Sequence, residues 1–382
     1  MASVMDYHCP NCGGALEFDA EKQKLRCPYC ESLFSPEEFR EKDETLTQAD
    51  PGSAQTESSG TQAGPGSAQT TQTGDHTLSF SSDDHWGEGE DLRVYSCPNC
   101  GAEVITDAST AATNCPYCNN VVVMKEQLSG DFRPEYVIPF RVTREQAVEA
   151  FRRHITQSRF VPAVFSAQNH PEEIKGVYVP FWLFDVDAEA SATFRAENIR
   201  RWSDRNYEYV ETEIYELIRG GTIAMRHVPV DGSRKMADDL MESIEPFDFR
   251  DAVPFQTAYL AGFMADRYDV NYQDCTDRAG QRMEASAMES LKDTAGGYDV
   301  ITMTGGQCDW KHANVTYALY PVWLLSTQWE GNNYLFAMNG QNGRFVGDLP
   351  LDRKKFRIYR IRTILIIMAI IFAIIFISTL AL

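Results

Sequence analysis

The sequence predicts a multidomain protein with two small four-cysteine modules, an α+β domain and one C-terminal hydrophobic helix. Three observations predict this organisation: a duplicated cysteine pattern, a long central region with both helical and strand periodicity, and an uncharged run at the end of the chain. With 382 residues, 43% of them hydrophobic, the chain is long enough for two or three folded units. This composition excludes a fully disordered chain.

The cysteine pattern predicts two metal-binding modules, at 1–40 and at 91–130. Both copies read CPNC, fourteen residues, CPYC, and each cysteine of the second copy lies 88 residues after its counterpart in the first. The eight candidate ligands are Cys9, Cys12, Cys27, Cys30, Cys97, Cys100, Cys115 and Cys118. Proline inside each CxxC turn presets the backbone, and Gly13 and Gly101 permit positive φ directly after it.

Four thiolates at this spacing are typical of a zinc ribbon, in which two CxxC turns face each other and hold one tetrahedral Zn²⁺. The alternative readings are disulfides and a thioredoxin-like redox centre. A redox centre has a single CxxC after a strand, and disulfides are disfavoured in a reducing cytoplasm. A site with four cysteine ligands has no open coordination position, so we expect two structural Zn²⁺ ions and no catalytic metal.

Residues 41–90, between the two predicted ribbons, form a low-complexity acidic linker. The hexapeptide PGSAQT occurs twice, beginning at Pro51 and Pro65, and the segment 49–75 around both copies has no aromatic residue and no aliphatic residue larger than alanine. Such a segment buries too little apolar surface to offset its ordering entropy, so we expect a disordered tether. The first ribbon is then expected to move freely relative to the second.

The central region, 131–350, predicts an α+β domain. Thr143 can cap a helix whose apolar residues repeat at three- and four-residue steps through Ile155, and a second helix is expected from Gln281 to Lys292. Segments rich in β-branched and aromatic residues predict strands between and after them. We expect a turn at Gly220-Gly221.

Two segments of this domain resemble each other. YVPFWLF (178–184) and YPVWLLS (320–326) share proline, tryptophan and leucine. Two related halves would explain the match, but so would two core strands of similar composition. Because the match spans only seven residues, the second explanation is favoured, with Trp182 and Trp323 as core anchors.

The end of the chain predicts a membrane anchor. Residues 363–382 contain no charge, proline or glycine, and as a helix they would be about 30 Å long, which matches the hydrocarbon core of a bilayer. The preceding segment, 353–362, carries six basic residues, which predicts that it stays on the cytoplasmic side. No signal peptide precedes the rest. We therefore expect a single-pass protein of the cell membrane with its N-terminal bulk in the cytoplasm.

The net charge of the chain and the motifs that it lacks argue against two functional classes, nucleic-acid-binding proteins and enzymes. The net charge of −20 would repel a phosphate backbone, which makes nucleic acid an unfavourable partner. The central region contains no HExxH, GxSxG or Walker motif, and its histidines stand apart. The carboxylates of Asp185 and Asp187 could bind a cation, but surface strands often carry such pairs. We therefore expect a protein that is not an enzyme.

The CPNCG and CPYC turns, the VPFWLF segment, the segment 334–350 and the terminal hydrophobic run together resemble a bacterial family. Its members are tail-anchored proteins with TFIIB-type zinc ribbons, sometimes labelled as replication or helicase-like proteins. The resemblance implies partners among flotillin-like and phage-shock-type membrane-stress proteins. The long PGSAQT linker departs from the family pattern.

Two functional hypotheses follow. The first is a membrane-anchored adaptor that binds and recruits cytoplasmic or membrane-associated proteins. The second is a zinc-ribbon factor of replication or transcription that binds nucleic acid. The second is disfavoured because Lys22, Lys24 and Arg26 of the first ribbon are outnumbered by its acidic residues and no basic stripe is present.

Overall fold

Extended strands dominate the architecture. The computed structural model describes residues 4–5, 7–40, 93–96, 103–106, 110–114, 121–124, 133–157, 160–162, 165, 174–330 and 332–380. The strands are β1 (Val4–Met5), β2 (Glu17–Asp19), β3 (Lys24–Arg26), β4 (Leu33–Phe34), β5 (Arg93–Ser96), β6 (Glu103–Thr106), β7 (Thr110–Asn114), β8 (Val121–Met124), β9 (Tyr136–Val137), β10 (Lys175–Ser203), β11 (Glu208–Asp231), β12 (Val253–Pro254), β13 (Met264–Asp266), β14 (Val300–Trp329), β15 (Asn332–Asn339) and β16 (Phe345–Gly347).

Helices are fewer. Within the described ranges, the α-helices are α1 (Arg144–Gln157), α2 (Asp238–Ser243), α3 (Tyr272–Asp293) and α4 (Arg353–Leu380). The 3₁₀ helices are Pro36–Phe39, Phe249–Asp251 and Thr257–Leu260.

One large sheet organises most of the chain. It has eleven strands, along the path β1-β8-β7-β13-β10-β14-β15-β16, with β11 beside β10 and with β9 and β12 attached through β14. Its centre is the long antiparallel pair β10 and β14, in which Trp182 lies opposite Tyr317. Helix α3 packs on one face of β10 and β11, burying Met283, Ala287 and Leu291. One apolar cluster therefore lies between this helix and the sheet, and a second contains Phe181, Met241 and Tyr320.

The similarity of YVPFWLF and YPVWLLS is explained by their position in neighbouring central strands. Trp182 is 1% exposed and donates its indole N–H to the Val270 carbonyl at 2.9 Å. Trp323 is 4% exposed and donates to the Val142 carbonyl at 3.0 Å. Both tryptophans are core anchors, as predicted.

The glycine- and asparagine-rich turn after β15 has a structural role. Asn339 is fully buried and its amide donates to the carbonyls of Ile244 and Pro246 at 3.0 and 3.2 Å. Gln341 exchanges hydrogen bonds with the main chain of Asp248. These side chains hold the segment between α2 and β12 against the sheet. They form hydrogen bonds with main-chain groups of this segment, which lie outside the strands.

The N-terminal module does not move independently. The Phe18 N–H donates to the Ala261 carbonyl at 2.8 Å, and the Gln23 amide donates to the Phe140 carbonyl at 2.7 Å. The Phe18 ring packs against Tyr259 with centroids 5.3 Å apart, and Tyr7 hydrogen-bonds Thr257. The predicted freedom of the first ribbon is therefore wrong, because it is docked on the large domain.

The predicted fold class is also wrong. The expected architecture separated a second ribbon at 91–130 from an α+β domain at 131–350. The structure instead pairs β7 with β13 and β1 with β8, so one sheet runs across the expected boundary. The chain is mostly sheet. Strands from segments that the sequence indicated as separate units pair with each other through their main chains.

The predicted transmembrane helix at 363–382, and the single-pass membrane location with it, are contradicted. No helix in the described part of the chain is long and apolar enough to span a bilayer. Helix α4 begins with the six basic residues of 353–362.

Candidate metal centre

The structure brings Cys9, Cys12, Cys27 and Cys30 together. All four sulfur atoms lie within 4.8 Å of one another. The Sγ atoms of Cys9 and Cys30 are 3.5 Å apart, and those of Cys12 and Cys27 are 3.4 Å apart. Cys9 and Cys27 are buried and Cys12 and Cys30 are exposed, so the cluster lies at the edge of the module.

Two equivalent backbone turns position the thiols. In the first, the Gly13 N–H donates to the Cys9 carbonyl at 2.8 Å. In the second, the Glu31 N–H donates to the Cys27 carbonyl at 2.9 Å. The residue after each CxxC adopts a left-handed conformation, with φ of 76° at Gly13 and 58° at Glu31. The repeated geometry aims two pairs of Sγ atoms at one point.

A small apolar core supports the turns. Leu16 and Leu25 are almost completely buried, and Phe39 closes this core against Tyr7 and Phe34, with ring centroids 5.8 and 6.0 Å apart. Strands β2, β3 and β4 form a separate three-stranded sheet under the cluster. A core of this size is marginal without a further crosslink, so a bound ion would add folding free energy.

The thiols differ in acidity. Hydrogen bonds with the side chain and the main chain of Ser32 lower the pKa of Cys30 to about 6. The Gly14 main chain acts to lower the pKa of Cys12, but the thiols of Cys27 and Cys30 outweigh it and raise this pKa to about 12. Cys30 therefore ionises more readily than Cys12.

The donor set fits a tetrahedral metal. Four sulfurs at a metal–sulfur distance of about 2.3 Å would lie about 3.8 Å apart, and the sulfur separations of the cluster fall around this value. The cluster of four cysteines can therefore bind a metal ion.

The second predicted set lies outside the described residues. Cys97, Cys100, Cys115 and Cys118 fall in 97–102 and 115–120, between described strands. Cys275 and Cys308, which lack a spacing partner in the sequence, are buried free thiols. Burial raises the pKa of Cys275 to about 12 and that of Cys308 to about 11, so neither is a reactive thiol.

The structure does not bring the carboxylates of Asp185 and Asp187 together as a cation site. Asp185 accepts the main-chain N–H of His227 at 2.6 Å, at a register shift in the β10–β11 ladder. Asp187 pairs with the Arg226 guanidinium at 2.5 Å. Each carboxylate has its own protein partner.

The sequence did not reveal a cavity of about 480 Å³ between the end of β11 and the starts of α2 and α3. Asp231, Met236, Cys275 and Arg278 contribute to its walls. Burial raises the pKa of Asp231 to about 6, although the Arg278 charge opposes this shift. These residues are far apart in the chain, so no spacing pattern could have indicated the cavity.

Comparisons with known proteins add one relationship. The chain is 30% identical over 310 residues to the uncharacterized protein YdjG of Bacillus subtilis (strain 168), an alignment that covers 68% of this chain and 91% of the relative. No family model matches the chain, and no solved structure matches it. On the extent of this alignment, the chain belongs to the same protein family as YdjG of Bacillus subtilis.

Proposed function

We propose that the chain is a zinc-stabilised adaptor that binds protein partners. The observation that supports this most is the closed cluster of Cys9, Cys12, Cys27 and Cys30. Four protein thiolates fill a tetrahedral coordination sphere and leave no position for substrate or water, so an ion held there is structural. Zn²⁺ is the ion that best suits four thiolates at this spacing.

The same reasoning extends to a second Zn²⁺ at Cys97, Cys100, Cys115 and Cys118. Adding the 88-residue displacement to Leu33, the first residue of β4, gives Val121, the first residue of β8. Adding it to Lys24 of β3 gives Ala112, within β7. Strands in matching places around both cysteine patterns support the same turn geometry in both copies.

The rigid attachment of the first module favours a docking role. Main-chain and side-chain hydrogen bonds fix the module to the Thr257–Leu260 helix and to Phe140, so its surface is presented in one orientation. A preformed surface binds with a smaller entropy cost than a mobile one. Partners of the flotillin-like or phage-shock type, which the family resemblance implies, belong to this proposal.

Nucleic-acid binding is less well supported. Arg26, a basic residue of the first module, lies 3.9 Å from Glu31, and the exposed Lys22 and Lys24 share the module with Glu17 and Glu21. The formal net charge of −20 repels the negatively charged phosphate backbone of a nucleic acid. Salt weakens this repulsion only at distances beyond the screening length.

Affinity purification from cells tests the adaptor. The bait is the full chain, compared with a Cys9→Ser, Cys12→Ser variant, and Cys308→Ser is the matched control because it removes a buried thiol outside the cluster. We expect a set of proteins captured by the wild type and by the control but lost from the double variant. Equal capture by all three baits would reject a role for the metal centre in partner binding.

A shift assay with duplex DNA over a range of salt concentrations tests the alternative. The adaptor predicts no shift at physiological salt. A shift that weakens steeply as the salt concentration rises would replace the adaptor with a nucleic-acid factor.

A further inference from the structure

Strand β11 forms one edge of a three-stranded arm. It pairs with β10 along its whole length, from Asp231 opposite Phe181 to Glu208 opposite Ser203. In the described part of the chain no strand pairs with its other edge. Such an edge presents a row of main-chain N–H and C=O groups that can pair with another strand.

This edge carries a row of exposed aliphatic side chains. Val210, Ile214 and Ile218 are 60%, 57% and 71% exposed. They lie at four-residue spacing, and because side chains alternate along a strand all three point to the same face. That face is opposite the one covered by α3. Contiguous exposed aliphatic residues on an unpaired strand mark an interaction surface.

The two edges of the arm differ in regularity. The β10–β11 register runs without interruption from Val186 opposite Met225 to the end of the strand. The β10–β14 register is shifted twice, which leaves Thr304 and Lys311 of β14 without a counterpart. Bulges of this kind block edge-to-edge pairing, so of the two edges β11 is the one that can accept a further strand.

The sequence of β11 is complementary to itself. An antiparallel pair of two β11 strands centred on Ile214 places Ile214 opposite its counterpart and Val210 opposite Ile218 on both sides of the centre. All three exposed aliphatic positions then meet an aliphatic partner on one face.

The charges agree with this register. The four glutamates of β11 lie at 208, 211, 213 and 216. With the centre at Ile214, they face Gly220, Leu217, Tyr215 and Thr212, and no two glutamates are directly opposite. A centre at 212, 213 or 216 would oppose glutamates directly, and a centre at 215 would place Ile214 opposite a glutamate. Like charges directly opposite destabilise a strand pair, so among centres from 212 to 216 the charges and the aliphatic pairs together favour the Ile214 register.

We propose that β11 is a dimerisation edge and that its occupant is a second copy of this chain, paired antiparallel about Ile214. The β14, β10 and β11 strands of both copies then form one continuous sheet. A dimer of this kind carries two copies of the N-terminal metal-binding module, so two weak contacts with one multivalent partner reinforce each other. The pairing does not depend on the metal or on the adaptor role.

Sedimentation equilibrium of the full chain tests the dimer. We expect a monomer–dimer equilibrium whose dissociation constant rises at least about tenfold in Ile214→Lys, because two ammonium groups meet at the symmetry axis. Val300→Lys is the matched control. Val300 is exposed, and it lies in the same cross-strand row, since both it and Ile214 are opposite Glu197, but on the β14 edge. We expect no change in this variant.

A cross-linking experiment tests the register independently. Opposed residues in an antiparallel pair have Cβ atoms about 5 Å apart, so Ile214→Cys should form a cross-linked dimer with a short thiol-specific reagent. Val300→Cys, on the β14 edge, is the control and should give no cross-linked dimer under the same treatment.

Three results would overturn the proposal. The first is a full chain that stays monomeric up to about 0.1 mM, where even weak specific pairing is visible. The second is a dimer that Ile214→Lys leaves intact or that both lysine variants weaken equally. The third is a monomeric chain that binds a foreign extended peptide along β11.

Discussion

At the scale of single residues, the sequence predicted the four cysteines of the first cluster but only one of the two left-handed backbone positions that follow its CxxC turns. Gly13, directly after the first CxxC, was expected to adopt positive φ, and it does. Glu31 stands at the equivalent place after the second CxxC and adopts φ of 58°. A β-carbon is strained in this conformation, so a glutamate gave no signal for it. The geometry of the turn overrides the preference of the residue.

Replacing Glu31 by glycine should therefore stabilise the module. Glycine removes the β-carbon strain and costs some entropy of the unfolded chain, which leaves a net gain of about 0.5–1 kcal/mol. The lost contact with Arg26, at 3.9 Å on the surface, offsets little of this gain. The midpoint of urea unfolding of metal-loaded protein measures the effect. Gly13→Ala is the control and should destabilise; loss of stability in Glu31→Gly would contradict the equivalence of the two turns.

A second residue-scale prediction concerns Asp231. Desolvation raises its pKa in the folded protein from 3.8 to about 6, so the carboxylate opposes folding once it is ionised. The contribution of this carboxyl group to the stability of the folded protein is fully present below pH 3.8, where the group is protonated. It is lost as the pH rises through about 6. Asp231→Asn should then stabilise the protein at pH 7.5 by on the order of 2–3 kcal/mol and have little effect near pH 4.

Thermal unfolding of wild type and Asp231→Asn across this pH range checks the sign. Cys275→Ala, in the wall of the same cavity, controls for general effects of changing the cavity, and its effect should not vary with pH between these limits. A stabilisation by Asp231→Asn that is equal at both pH values would show that the carboxylate is not the cause.

At the scale of elements, the sequence predicted helices and strands whose formation depends on residues that are close together in the chain. The helix expected after Thr143 is present as α1, and the strand expected around VPFWLF lies within β10. Gly220-Gly221, however, does not form a turn, because β11 continues through it to Asp231. Its pairing with Ala190 and Ser191 of β10 outweighs the weak strand preference of glycine. Pairing partners that are distant in sequence leave no local signal.

Metal removal should act locally, on the parts of the structure around the two cysteine sets. Strands β2, β3 and β4 form a separate sheet that adds few residues to the apolar core, whereas β10, β14 and α3 have an extensive core without a metal. A strong chelator should therefore abolish hydrogen-exchange protection in 9–34 and weaken it in β5 to β8, and leave the long strands protected. Acidification should have the same local effect, because protonated thiols do not bind the ion. Global unfolding on chelation would show instead that the metal supports the whole sheet.

At the scale of the whole molecule, the sequence showed the modules but not how they join. The cysteine patterns and the strand-rich central region were visible from composition and spacing. The pairing of β1 with β8 and of β7 with β13, and the hydrogen bond from Phe18 to Ala261, were not visible, because they depend on main-chain groups that every residue carries. The apolar end of the chain indicated a membrane span, but no helix among the described residues is long and apolar enough to cross a bilayer.

The central claim is that closed four-cysteine sites hold structural Zn²⁺ on a large sheet domain. Elemental analysis of the full chain, purified without chelator, tests it most directly, with the Cys9→Ser, Cys12→Ser variant and the Cys308→Ser control analysed in parallel. We expect two zinc ions per chain in the wild type and the control and one in the double variant. A wild type without zinc, or a double variant with the same zinc content as the wild type, would contradict it.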